Sequence, residues 1–314
     1  VLSTAAVLAD CAFYVGERTF RPYARAPWMG TIDDPEIIGH LRELGGDFVC
    51  VPFGAGSETP FGPEAWAALM TDAPERPIHG PAGDEDWEVI SHTEDSITLG
   101  LDYPEDSIVR RLERTVSGTA GAPILESTLT IYPRKAGAIS AGLHPILQLP
   151  EGRGRLSLEA EFAFGLVHPR QCSNEDAQEF SSLASVPAAG GPIDMSNVPV
   201  GVPNFSVQLC GMKGPVRALF LDEGMGVELD WDRELLPSVQ LWCTDRGIDG
   251  APWNGEFRGI GVEPIASAFD LNTRLSARPN PINRRGVATA LVLDGEAPVR
   301  LRHVMTAFAE NKGE

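Results

Sequence analysis

The 314-residue sequence predicts an all-β protein: a large antiparallel β-sandwich with a few short helices. Three observations carry this. Apolar and polar residues alternate with a period of two in many segments at short spacing, the pattern of half-buried strands. Glycine (33) and proline (26) punctuate the chain at turns. Few segments show helical periodicity. The chain is 43% hydrophobic, enough to bury a large core, and we read residues 1–314 as one domain.

The elements follow in order. "DDPEIIGHLRELGG" (33–46) is the best helix pattern, with Asp34 as N-cap, Pro35 at the first helical position and Gly45 as terminator. "GPEAWAALMTD" (62–72) is a weaker helix. "SIVRRLERTVSG" (107–118) and "ILESTLTIYP" (124–133) alternate strictly across the turn "TAGAP" and predict an antiparallel hairpin. "RLSLEAEFAF" (155–164) predicts a strand and "NEDAQEFSSL" (174–183) a short helix. A long loop-like stretch (185–204) precedes strands at 205–212, 216–222, 224–232 and 236–244. "GVATALVLD" (286–294) and "VRLRHVMTAF" (299–308) close the sheet pattern.

Charge narrows the function. A net charge of −19 repels phosphate backbones and anionic lipid, so neither nucleic acid nor membrane is an expected partner, and a neutral small molecule suits the surface better. The five cysteines (Cys11, Cys50, Cys172, Cys210 and Cys243) are odd in number and form no C-x-x-C, which predicts free thiols in a reducing cytoplasm. The opening segment has no basic n-region, so no signal peptide is expected, and no apolar run approaches the roughly 18 residues of a membrane helix. "GAGS" (54–57) lacks the lysine and the strand–loop–helix frame of a phosphate loop, and no G-x-S-x-G elbow occurs. The six histidines show no metal-ligand spacing. Neither cofactor nor metal is expected.

Two residues stand out against their surroundings. His144 interrupts the apolar run "AISAGLHPILQLPEG", where it is either a core imidazole satisfied by backbone or half of an acid/base pair. Glu263, flanked by Val262 and Pro264 in "GIGVEPIASAFD", is a carboxylate in an apolar run and needs a partner if buried. Trp253 offers an aromatic face that could stack on a sugar or simply pack; Trp28 and Trp87 read as packing residues. Arg25, Arg246 and Arg258 are possible hydroxyl donors. The acidic runs "DDPE" and "DEDWE" read as solvated surface.

Four segments in this order resemble the galactose mutarotase (aldose 1-epimerase) superfamily: "LGGDFVCVPFG" (44–54), "PIHGPAGDEDWEVI" (77–90), "AGLHPILQLPEG" (141–152) and "GIGVEPIASAFD" (259–270). The strand "LPSVQLWCT" (236–244) is similar to the one preceding that family's Glu-Pro segment. The resemblance covers roughly residues 20–275 and implies a single large β-sandwich. It implies Glu263 as catalytic base, His144 as acid and His79 as a hydrogen-bonding helper. The implied reaction interconverts the anomers of a neutral monosaccharide by opening a cyclic hemiacetal. A base takes the proton of the anomeric hydroxyl and an acid protonates the ring oxygen.

The departures are specific. Acids follow the His-Gly turn where relatives place an aromatic and an arginine, which argues against hexose 6-phosphates. "YPRKAG" replaces the asparagine usually found before the His-Pro motif. The family's hydroxyl-gripping aspartate maps either to Asp194 or to the position of Asn204. Two other readings stay open: a sugar-binding or sensing protein without turnover, and a glycosidase or lyase, for which Glu263 would need Asp194 or Asp270 as second carboxylate. Fold alone does not select among them. Monomer and homodimer are both compatible with the sequence.

Overall fold

A computed structural model of the chain describes residues 1–172 and 178–310. Among these, a nine-stranded and an eight-stranded antiparallel sheet carry most of the regular structure. The predicted hairpin forms as Val109–Gly118 and Ile124–Pro133, whose buried and half-buried residues alternate along its length. It sits in the nine-stranded sheet beside the last strand, Val299–Ala309. The eight-stranded sheet contains Asn204–Cys210, Ser238–Asp245, Arg258–Ala266, Ala141–Leu143 and Val49–Cys50, paired in that order. One apolar cluster draws on both sheets: Leu129, Ile131, Leu301 and Met305 from the first, Val207, Leu241 and Val262 from the second. Each such fully buried side chain contributes about 1.5–3 kcal/mol through its removal from water.

The helices are shorter than the patterns predict. Of 33–46 only Gly39–Arg42 is helical. The Asp34 side chain caps a turn instead, accepting from the Glu36 amide at 2.9 Å. Gly39 adopts φ +56° and lies so close to Gly83 and Asp84 that a Cβ would collide with their backbone, and a helix cannot run through that residue. Of 62–72, Glu64–Ala67 is helical. Residues 174–177 of the third predicted helix lie outside the described residues, and its described part contains the short strand Glu179–Phe180. The segment 155–164 is two strands in different sheets: Leu156–Glu159 pairs in the nine-stranded sheet, and Phe164–Val167 in the eight-stranded one. The five thiols are free. No helix among the described residues is long and apolar enough to cross a membrane.

Candidate active site

Strand alternation divides the eight-stranded sheet into a dry face and a cavity face. Val239, Leu241 and Cys243 point into the sandwich with Val207 and Val262, so Gln240, Trp242, Ser206 and Glu263 point the other way. Register then builds a row across that face. Gln240 pairs with Glu263 on one side and with Gln208 on the other. Gly142 pairs with Ile265 and Ile146 with Gly261, which places His144, between them, opposite Glu263. Val49 pairs with Leu143, which puts Phe48 opposite His144. Five strands thus align Phe48, His144, Glu263, Gln240 and Gln208. Pro145 has no N–H to give to the ladder beside His144, but its carbonyl keeps the pairing by accepting from the Val262 amide at 2.9 Å.

Phe48, His144, Glu263 and Gln240 of this row form the floor of a cavity of about 410 Å³. His144 Nε2 lies 3.4 Å from Glu263 Oε1. The Gln240 amide donates to Glu263 Oε2 at 3.2 Å. Glu263 has no solvent exposure. Its carboxylate folds over Gly261, where a Cβ would fall on Oε1, so only glycine leaves room for this rotamer. The His144 amide donates to the Phe48 carbonyl at 2.8 Å, and its ring stacks on the Phe48 ring with centroids 4.4 Å apart.

His79 meets His144 edge to face at 5.4 Å. Its backbone is left-handed (φ +62°), a conformation that costs a non-glycine residue about 1–2 kcal/mol. Its Nδ1 accepts from the Gly54 amide at 3.2 Å, which fixes the proton on Nε2. His40 packs against both Phe48 and His79. On the opposite wall His168 Nδ1 accepts from the Arg170 amide at 3.1 Å, and Nε2 donates to Asp270 Oδ1 at 2.8 Å. Both ends of the Gln208 carboxamide are spent on the turn before Asp270: its NH2 donates to the Ser267 carbonyl and its oxygen accepts from the Phe269 amide. The third wall is aromatic, with Trp242, Trp253 and, behind them, Trp28 and Phe257 in edge-to-face contact.

Burial governs the protonation states. Burial pulls the His144 imidazole down to about 3, with His40 adding to it, and pulls His40 down to about 4. Burial holds His79 well below the usual range. Burial pushes the Glu263 carboxyl well above its ordinary value, the Asp270 carboxylate adds to this, and the Gln240 hydrogen bond opposes it. Burial acts to raise Asp270 as well, but the His168 ring outweighs it and holds this carboxylate below its usual range. These directions favour the proton on Glu263 over His144 within the pair, and the ionised form of Asp270. Four buried polar atoms of cavity residues have no hydrogen-bond partner among the described residues: His144 Nδ1, Glu263 Oε1, Gln240 Oε1 and Ser206 Oγ. Such atoms are costly to leave unpaired, and these four are placed where a polar molecule in the cavity would satisfy them.

Of the residues singled out from the sequence, His144, Glu263, His79, Trp253 and Asn204 line this cavity. Asn204 is occupied, its Oδ1 accepting from Trp242 Nε1 at 3.2 Å. Asp194 and Arg258 are not brought to it. Asp194 is exposed and caps its own turn, accepting from the Ser196 amide at 2.9 Å. Arg258 donates to Asp245 at 2.6 Å and to the Pro150 carbonyl, away from the cavity lining. Sequence reasoning passed over His168, Gln240, Trp242 and His40. His168 repeats the His-Pro dipeptide of His144, a signal that was available. No cluster of three or more potential metal ligands occurs among the described residues.

No protein-family model and no curated protein matches the sequence. Solved structures do resemble the fold. The GalM/aldose epimerase homologue from C. elegans aligns over 99% of this chain and 95% of its own, at 14% identity and a TM-score of 0.64. A galactose mutarotase-like protein from Lactobacillus casei aligns over 83% of this chain and 85% of its own, at 15% identity and a TM-score of 0.54. Another from Clostridium acetobutylicum aligns over 84% and 79%, at 11% identity and a TM-score of 0.55. At these identities the likeness speaks for architecture, and the architecture is that of the two-sheet sandwich described above. In fold, the chain is similar to the galactose mutarotase-like and aldose epimerase structures.

Proposed function

We propose that the cavity binds a neutral monosaccharide and interconverts its anomers. The observation that carries this reading is the His144–Glu263 pair, 3.4 Å apart on a buried floor beside unpartnered polar atoms. Ring opening needs one proton acceptor at the anomeric hydroxyl and one donor at the ring oxygen. A pair that shares a single proton supplies both. With Glu263 ionised and His144 protonated, Glu263 takes the hydroxyl proton as the C1–O5 bond breaks, and His144 delivers its proton to O5. The pair is then neutral, the distribution that burial favours. Rotation about C1–C2 and the reverse transfers close the other anomer, with no change in proton count. Each transfer is worth roughly 10²–10⁴-fold. His79, its proton fixed on Nε2, donates to the sugar. Trp253 stacks on the sugar's apolar face. Asp270, with one oxygen held by His168, grips hydroxyls with the other and takes the role for which the sequence offered Asp194 and Asn204.

The test is anomeric exchange by NMR magnetisation transfer over a panel of neutral aldoses. Exchange above the uncatalysed rate with at least one sugar is expected. Saturable binding with no exchange would replace turnover by sensing. Two variants sharpen the reading. Gly261→Ala is expected to push the carboxylate off His144 and slow exchange about 10–100-fold, because the colliding group is a flexible side-chain end and the fold survives; full activity would dissociate the rotamer from the reaction. Asp270→Asn is expected to raise KM about tenfold with a smaller change in kcat, the loss of one charged hydrogen bond of about 1.5–3 kcal/mol partly offset by the amide. An unchanged KM would remove Asp270 from the binding set.

One observation favours a second reading. Two carboxyls facing one cavity, Glu263 pushed towards its protonated form by burial and Asp270 held towards its ionised form by His168, match the division of labour of a glycoside hydrolase. Release of aryl alcohol from aryl glycosides, lost in both Glu263→Gln and Asp270→Asn, would establish it in place of mutarotation.

A further inference from the structure

Behind the row of the active site lies a buried ion pair that the proposed chemistry does not use. Arg114, on the strand Val109–Gly118 of the nine-stranded sheet, has no solvent exposure, and Asp47 is 1% exposed. Arg114 Nη2 donates to Asp47 Oδ2 at 2.6 Å. Its Nη1 donates to the backbone carbonyls of Asp47 at 3.0 Å and Ala6 at 2.8 Å, and its Nε donates to Ser127 Oγ at 3.2 Å. The guanidinium therefore reaches across the sandwich and grips both the side chain and the backbone of one residue just before the strand Val49–Cys50 of the opposite sheet.

That residue immediately precedes Phe48. Alternation turns Asp47 into the sandwich and Phe48 towards the cavity, where its carbonyl takes the His144 amide and its ring lies under the imidazole. The Asp47 backbone is also tied to Leu8 by a reciprocal pair of hydrogen bonds at 2.9 and 3.1 Å. The segment thus has no freedom to slide along the sheet. The arrangement is an expensive way to hold two sheets together. Asp47 Oδ1, Tyr23 Oη and His303 Nε2 remain without partners among the described residues, and a buried pair is often no more stabilising than apolar side chains of similar volume.

We propose that Arg114 and Asp47 are positioning residues for His144: by clamping the Asp47–Phe48 peptide they fix the platform on which the imidazole sits opposite Glu263. The inference rests on the proposed acid/base role of His144, but its test does not depend on turnover. The double variant Arg114→Met/Asp47→Leu removes both charges at similar volume and is expected to fold. Its imidazole resonances, read by ¹⁵N-edited NMR, should show His144 shifted and broadened, while the exchange rate falls about tenfold or more at an unchanged KM. Arg114→Lys keeps the charge but loses the fork onto two carbonyls and should fall between the two, and it carries the test if the double variant does not fold. A folded variant whose His144 resonances match the parent would overturn the proposal. If the parent itself shows no exchange, the proposed function fails, and the resonances still decide the positioning.

Discussion

Glu263→Gln is expected to lower anomeric exchange by about 10²–10⁴-fold and, at neutral pH, to make the protein more stable. The two effects have one cause. Glu263 is fully buried, and its folded pKa lies well above the ordinary carboxyl value, with burial as the main reason. Below the unfolded value near 4.3 both states hold the proton, and this term does not act against the fold. As pH rises from there, the unfolded chain ionises and the fold does not, so stability is lost until the raised value is passed. At pH 7 the cost reaches at most about 3–4 kcal/mol. Glutamine carries no such term, can still accept from Gln240, and forfeits only the contact with His144. A gain of about 1–3 kcal/mol is therefore expected from urea denaturation at pH 7, shrinking towards pH 4. A variant that loses exchange and also unfolds more easily at pH 7 would show that the carboxylate is ionised in the resting protein. One that keeps exchange would remove Glu263 from the chemistry.

Much of the sandwich was legible because each sheet has one dry face. Ile124–Pro133 alternates in burial as it alternates in sequence. The misreadings come from information that is not local. Asp34 and Pro35 serve a turn as well as a helix start, and what stops the helix is the contact of Gly39 with Gly83 and Asp84, more than forty residues on. Residues 155–164 alternate throughout, yet nothing in the pattern says that the chain leaves one sheet at Glu159 and joins the other at Phe164. The site behaves in the same way. His144 and Glu263 were conspicuous as polar residues in apolar runs, but that they face each other follows from register. Asp194 was chosen by nearness in sequence to the expected strand. Asp270 reaches the cavity through His168, 102 residues away, and no spacing rule reads such a distance.

Acid is the second large effect. His40, His79, His144 and His303 are all buried, and all have folded pKa values below the usual imidazole range, with burial the first cause in each. Above the unfolded value near 6.5 both states of these imidazoles are neutral, and they add no pH dependence. Below it the unfolded chain takes up protons that the fold refuses, so stability is lost as pH falls from 6.5 towards the lowered folded values. Glu263 works against this in the same window, because there the fold holds a proton that the unfolded chain has released. Four imidazoles against one carboxyl leave a net uptake of protons on unfolding, and each such proton is worth about 1.4 kcal/mol per pH unit. A domain of ordinary stability, about 5–15 kcal/mol, cannot survive many units of such a slope. Urea midpoints at pH 7, 6 and 5 should fall steeply, and His79→Gln should flatten the slope, because the glutamine amide does not titrate. A midpoint that hardly moves between pH 7 and 5 would mean that these imidazoles accept protons in place, which would also put His144 in its charged form before any sugar arrives.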